Sequence, residues 1–256
     1  MAERRRGSRR LPHGLPAAVS PRPGPLGAPE TEAPARARGG AAVRAAGHNA
    51  RRMSVSFRHL LAGAWARAAA PRMIYGMRSG DGTRRPHSRI STHARIESPE
   101  RLMLGDHVFI GHFNFIDASG GLTIGDGCQI TNHVSVLTHS SHLALRLERE
   151  AYWGAQAPAG QLRAPTVLGA WSFVGPHSTL VPGARLGRGS LVRAYSYVTG
   201  EAPDFAVLEG QPARVVGDTR ELDRAWIERH PAEYGEAART AYEAWASAGA
   251  GDGGPA

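Results

Sequence analysis

LGAWSFVGPHSTLVPGARLGRGSLVRAYSYVT, residues Leu168 to Thr199, decides the fold of this chain. An aliphatic residue recurs there at every sixth position: Leu168, Val174, Leu180, Leu186, Val192 and Val198. Gly follows three of them, as Gly169, Gly175 and Gly187. Four places after an aliphatic stands a small residue: Ser172, Ser178, Ala184, Ser190 and Ser196. A period of six matches neither the 3.6 of a helix nor the two of a simple strand. It matches an all-β solenoid with a triangular coil. Each six-residue unit is one side, and each aliphatic points into the prism. The small residue faces the cramped interior near the corner.

Moving upstream, the repeat is less regular. Ile90, Ile96 and Leu102 are six apart; the register then slips by two, to Leu104, Ile110 and Ile116, and by two again, to Ile124, Ile130 and Val136. Between Val136 and Leu168 the pattern vanishes. The segment His139 to Pro165, HSSHLALRLEREAYWGAQAPAGQLRAP, reads as an excursion loop. A long loop in a tight solenoid is usually functional.

The rest of the chain divides around residues 90–217. Residues 1–52 are rich in Arg, Pro, Gly and Ala and cannot bury enough apolar surface to offset their ordering entropy, so a disordered tail is expected there. A start of translation downstream, at Met53 or Met73, is a second reading of that tail. Residues 53–89 read as a capping segment that opens with a short helix. Phe57, Leu60, Leu61 and Trp65 share a face, Pro71 ends it, and its expected job is to cover the open first coil. Residues 218–248 carry helical spacing, with Thr219 as candidate N-cap, and 249–256 form a tail.

Composition narrows the function. Lys and Arg number 31 against 22 Asp and Glu, a net charge of +9, but much of the excess lies in the tail. The basic balance is therefore weak evidence for a nucleic-acid partner. The single cysteine, Cys128, excludes an intrachain disulfide and a cysteine-based zinc site, and its small-residue place makes it a core thiol. No apolar run approaches the ~20 residues of a membrane helix. No secretory signal is evident, so a cytoplasmic place is expected. Nucleotide fingerprints and a G-x-S-x-G elbow are absent.

Histidines cluster where the excursion begins: His133, His139 and His142. An imidazole titrates near neutrality and can take a proton from a hydroxyl, so one of these is a candidate general base. The cluster holds no Asp or Glu of its own, and no metal is expected there.

Together the hexads, the His-bearing excursion, and the phrases LTIGDGCQI, VGPHSTLVPGARLG and GQPARVV resemble the hexapeptide-repeat, left-handed β-helix acyltransferases. The similarity is to the branch of maltose, galactoside and polysaccharide O-acetyltransferases, over roughly residues 90–217. The resemblance implies acetyl-CoA as donor, a sugar hydroxyl as acceptor, and a homotrimer with active sites between subunits. It implies a loop histidine as base, and both His139 and His142 fall near that place. An asparagine that the family uses one coil earlier falls on Gly111 here; Asn114, nearby, occupies an inward place and is a candidate acceptor ligand or a structural Asn. Asp117 is a candidate for binding a sugar hydroxyl, for orienting the histidine, or for capping a turn. For the coenzyme the resemblance implies Phe173 over the acetyl group, and Gly175 and Pro176 along the thioester. It also implies Ala194 and Thr199 at the pantetheine arm, and Arg214 at the phosphates. The family often carries Lys where Gly200 stands, and Arg193 or Arg188 could supply that charge. Two alternatives stay open: a non-catalytic assembly subunit, and a zinc enzyme of the carbonic-anhydrase type using His139, His142 and His177.

Overall fold

The structure, a computed structural model, describes residues 57–248. The expectations for residues 1–52, for Met53 and for the tail at 249–256 lie outside the described residues. The first element is helix α1 (Phe57–Ala68). Its Leu60, Leu61 and Trp65 are exposed, Trp65 by 74%. Residues 53–89 were expected to cover the first coil. Mostly within them, a β-hairpin stands at that edge, with Met73–Arg78 running antiparallel to Arg84–Ser91. The backbone groups of the first parallel strand are thereby paired rather than left open.

From Arg84 to Gly210 the chain visits three sheets in rotation. The first sheet aligns Arg84–Ser91, Phe109–Ile110, Gln129–Ile130, Phe173–Val174, Leu191–Val192 and Ala206–Gly210 in parallel. The second aligns Arg95–Glu97, Phe115–Asp117, Ser135–Val136, Thr179–Leu180 and Tyr197–Val198. The third aligns Leu102–Leu104, Leu122–Ile124, Thr166–Leu168, Arg185–Leu186 and Glu201–Ala202. Each two-residue strand sends one side chain outward and one inward, as the period-two pleat requires. The inward set forms one core. Ile110, Ile116, Ile130, Val136, Val174, Leu180 and Val192 are all 0% exposed. Each such side chain contributes about 1.5–3 kcal/mol of burial.

The two register slips have a geometric cause. In the third sheet the early strands are three residues long, and both Leu102 and Leu104, and both Leu122 and Ile124, are buried. That adds a second inward residue to the side, so early turns stack residues 20 apart, as with Asp106 and Asp126. Later strands there shorten to two residues, and turns then stack residues 18 apart, as with Ser178 and Ser196.

At the corners the small residues are buried as the repeat predicts: Ser172, Ser178, Ala184, Ser190 and Ser196 are each at most 2% exposed. Their hydroxyls donate to corner carbonyls, as Ser172 Oγ does to Gly169 O at 2.7 Å and Ser196 Oγ to Arg193 O at 2.7 Å. Cys128 is fully buried, its Sγ 3.1 Å from Gly169 O, and burial pushes the thiol up to about 12. Between the first and second sheets the corners are left-handed, with φ near +60° at Phe113, His133, His177 and Tyr195. Their rings stack outside the fold, His133 on His177 at 4.8 Å and His177 on Tyr195 at 4.8 Å. Stacking offsets part of the backbone penalty that non-Gly residues carry there.

The excursion contains helix α2 (His142–Glu148) and a 3-10 turn at Arg149–Gly154. At the far edge of the first sheet, Ala206–Gly210 and Ala213–Asp218 form an antiparallel hairpin. Helices α3 (Thr219–Arg229) and α4 (Glu236–Ser247) follow. The N-cap of α3 is Asp218, which accepts from Arg220 N, one residue before the expected Thr219. Thr219 is instead buried in the first turn and donates to Gly189 O at 2.9 Å. Arg188 holds α4 in place: it pairs with Asp204 at 3.0 Å and donates to Trp245 O at 3.0 Å. Among the described residues no helix is long and apolar enough to cross a membrane.

Candidate active site

The excursion leaves from the corner between the second and third sheets. It departs and returns as an antiparallel ribbon, His139–Ser140 against Leu162–Arg163, with His139 opposite Arg163. Its interior is packed: Ala144 N donates to Gly160 O, and Gly160 N donates to the Glu148 carboxylate at 2.7 Å. A Cβ at Gly160 would stand 2.6 Å from Ala144 N, so only glycine fits. Thr166 closes the mouth, donating Oγ1 to Leu137 O at 2.8 Å. His139 thus sits on a braced ribbon rather than on a free loop.

Beneath it lies Asp117, fully buried at the end of Phe115–Asp117. Its Oδ1 accepts from Ser119 N at 2.9 Å; its Oδ2 accepts from Thr138 N at 2.9 Å, Thr138 Oγ1 at 2.9 Å and His139 N at 3.1 Å. The same Oδ2 stands 2.7 Å from His139 Nδ1. Burial opposes ionisation of this carboxyl, but the hydrogen bonds from Ser119 and Thr138 outweigh it and hold the group far below the usual carboxylate range. An ionised carboxylate can only accept, so the network assigns the proton of this contact to Nδ1. The lone pair of the neutral ring then lies on Nε2. The His139 side chain is 32% exposed, with Nδ1 turned to Asp117 and to Ser119 Oγ at 2.9 Å. A buried carboxylate in this position fixes the tautomer and the orientation of the ring.

His142 lacks this support. It is exposed at the start of α2, and its Nδ1 meets only Ser140 Oγ, at 2.8 Å. Asn114, a candidate acceptor ligand, is corrected to a structural residue. It is 3% exposed, its Nδ2 donates to Thr131 O at 2.6 Å, and its Oδ1 accepts from Val134 N at 2.7 Å. Every polar atom is used inside the corner. Asp117 is fully buried, and its two oxygens accept from Ser119, Thr138 and His139.

Of the residues expected to meet the coenzyme, all but Thr199 fall elsewhere. Phe173 is exposed on the first sheet, while Gly175, Pro176, Arg193 and Ala194 lie at the corner between the first and second sheets. A Cβ at Gly175 would stand 2.6 Å from Ala194 N, so this glycine serves the stacking of two turns. Arg193 is ion-paired with Glu209 at 2.5 Å. Thr199 shares the His139 corner in a later turn and is exposed. Arg214, also exposed, lies on the last hairpin and donates only to Ala213 O. Within one chain these groups do not surround His139. Nor do His139, His142 and His177 gather: His177 is held at another corner between His133 and Tyr195. Among the described residues the one group with metal-ligand spacing is His87, Asp106 and His107, where the third sheet turns into the first.

Ser119 and Thr138, which complete the Asp117 network, carry no sequence signal beyond their nearness to Asp117 and His139. Arg101 and Arg163 both donate to Ser119 O, at 2.7 and 2.9 Å, and no repeat pattern marks them.

No family model matches the chain. The galactoside O-acetyltransferase of Escherichia coli is 31% identical over 105 residues, which are 40% of this chain and 47% of that protein. The chain thus spans about half the length of the curated relative it matches. Among solved structures, a hexapeptide-repeat acetyltransferase from Vibrio cholerae, complexed with acetyl-CoA, is 25% identical over 49% of this chain and 64% of that one, with a TM-score of 0.42. An N-acyltransferase from Bacillus cereus, in complex with dTDP and coenzyme A, is 20% identical over 56% of this chain and 88% of that one, with a TM-score of 0.43. In sequence the chain is thus similar to a galactoside O-acetyltransferase over 105 residues.

Proposed function

We propose that the protein is an acetyl-CoA-dependent O-acetyltransferase acting on a hydroxyl of a sugar or glycoside, with His139 as general base. The observation that carries this reading is the 2.7 Å contact between His139 Nδ1 and the buried, ionised Asp117. Nε2 of His139 takes the proton of the acceptor hydroxyl as its oxygen attacks the thioester carbonyl. The carbon–sulfur bond then breaks, and the imidazolium returns the proton to the departing coenzyme A thiolate. The Asp117 carboxylate stabilises the imidazolium between those steps. Attack is direct, so no nucleophilic side chain is needed.

In this reading the three sheets are one left-handed triangular solenoid that assembles as a homotrimer in the cytoplasm, where acetyl-CoA is at hand. The separation of His139 from Phe173, Gly175, Ala194 and Arg214 within one chain supports the trimer, since a groove between neighbours would bring one copy's base to another's donor wall. Exposed Leu147 and Trp153 on the excursion, 72% and 79% accessible, would be covered there.

The test is acetyl transfer from acetyl-CoA to a panel of sugars. Replacing His139 by Ala is expected to lower kcat by about 10²–10⁴, whereas His142→Ala stays within a few-fold of wild type. Full transfer by the His139→Ala protein would sink the mechanism.

A further inference from the structure

We propose that Arg101 and Arg163 form an anion subsite beside His139, and that the acceptor carries a carboxylate or phosphate which they bind. The inference rests on His139 being the base for the acceptor hydroxyl. The two guanidiniums reach one atom from separate segments. Arg101 ends the 3-10 turn Pro99–Arg101, and its Nη1 donates to Ser119 O at 2.7 Å. Arg163 stands opposite His139 on the ribbon, and its Nη1 donates to the same oxygen at 2.9 Å. A Cβ at Gly120 would lie 2.3 Å from Thr138 O and 3.1 Å from Arg163 Cγ, so the bare backbone there admits both the next turn and the arginine stem. Ser119 Oγ in turn is 2.9 Å from His139 Nδ1.

Two cations therefore share one neutral carbonyl next to the base. A guanidinium has five N–H donors. Beyond Ser119 O, Arg163 engages only Gln161 Oε1, at 3.2 Å. Among the described residues neither arginine is within ion-pair distance of a carboxylate, and both hydrogen-bond to the same carbonyl. The nearest acid of the site, Asp117, is turned inward on Thr138 and His139. Like charges held together repel; a bound anion removes that repulsion and fits the planar fork of donors. The anion belongs to the acceptor rather than to the donor. The base must lie within hydrogen-bond reach of the acceptor hydroxyl, and the whole pantetheine arm separates the thioester from the nucleotide phosphates.

The experiment compares matched acceptors: N-acetylneuraminic acid with its methyl ester, and galactose 1-phosphate with methyl galactoside. For the full-length wild type, kcat/KM is expected to favour the anion of at least one pair by about 10- to 100-fold, the range of a charge-assisted contact pair. In Arg101→Gln/Arg163→Gln that ratio collapses toward one, while Arg229→Gln, which removes a charge on α3, leaves it unchanged. Titration calorimetry with the same four sugars reads the subsite without turnover. Binding of the anion that the double variant loses would uphold the subsite even where no transfer occurs, and would then remove the transferase reading alone. Equal kcat/KM and equal binding for acid and neutral partner in the wild type would overturn the proposal. So would an unchanged ratio in the double variant with uniform loss on both partners, which marks a staple for the ribbon. A rise confined to the KM of acetyl-CoA, which assigns the arginines to the donor phosphates, would also overturn it.

Discussion

Replacing Asp117 by Asn separates the two duties of this side chain. Its Oδ2 accepts from Thr138 N, Thr138 Oγ1, His139 N and His139 Nδ1, and its Oδ1 from Ser119 N. An amide has one acceptor oxygen. Placed at the Oδ2 position, it keeps the four donors there and turns its NH2 against Ser119 N. One half-buried donor is then unpaired beside an amide N–H, which costs about 1–3 kcal/mol. For a chain of this size that lowers Tm by roughly 2–12 °C. The charge that stabilised the imidazolium is gone as well, so kcat is expected to fall by about 10²–10⁴ at 25 °C. The pH dependence adds a second axis. The folded-state pKa of Asp117 is lowered, so its stabilisation is present above the ordinary carboxylate value near 4 and is lost as pH falls toward the depressed folded value. The gap in unfolding free energy between wild type and Asp117→Asn is therefore full at pH 7 and narrower at pH 3, measured by urea titration. If Tm falls as expected but kcat stays within threefold of wild type, Asp117 is a corner cap and not the partner of a base.

The remaining predictions concern residues buried inside the turns. Asn114→Ala removes the acceptor of Val134 N and the donors to three carbonyls, and is expected to destabilise by about 2–4 kcal/mol while leaving acceptor KM unchanged; denaturant unfolding with steady-state kinetics checks both. Cys128 is expected to resist a thiol-specific reagent at pH 8 until the protein is unfolded, because burial pushes its thiol up to about 12. A chromogenic disulfide reagent, with and without denaturant, reads this directly.

The repeat by itself determined the strands, the three-fold rotation of the chain and the core. The reason is local: an inward place every sixth residue obliges Val174, Leu180, Leu186 and Val192 to share an interior whatever the rest of the chain does. The same logic placed the buried corner residues and Cys128. It also marked the excursion and left two histidines at its start. Sequence alone could not tell their surroundings apart, because these depend on a carboxylate 22 residues before His139. Stacking of one turn on the next puts Asp117 under His139 and leaves His142 in solvent. The extra inward residues Leu102 and Leu122 likewise appeared in the sequence only as slips of register, since a single lengthened strand shifts everything after it. The outer strands of the two end hairpins, Met73–Arg78 and Ala213–Asp218, run antiparallel and carry no hexad signal. Least legible were Arg101 and Arg163. Nothing in the pattern joins them; they meet at Ser119 O because the ribbon returns antiparallel and sets Arg163 across from His139. Periodicity is a local property and survives in the sequence. Convergence of charge on one atom is a property of the folded chain alone.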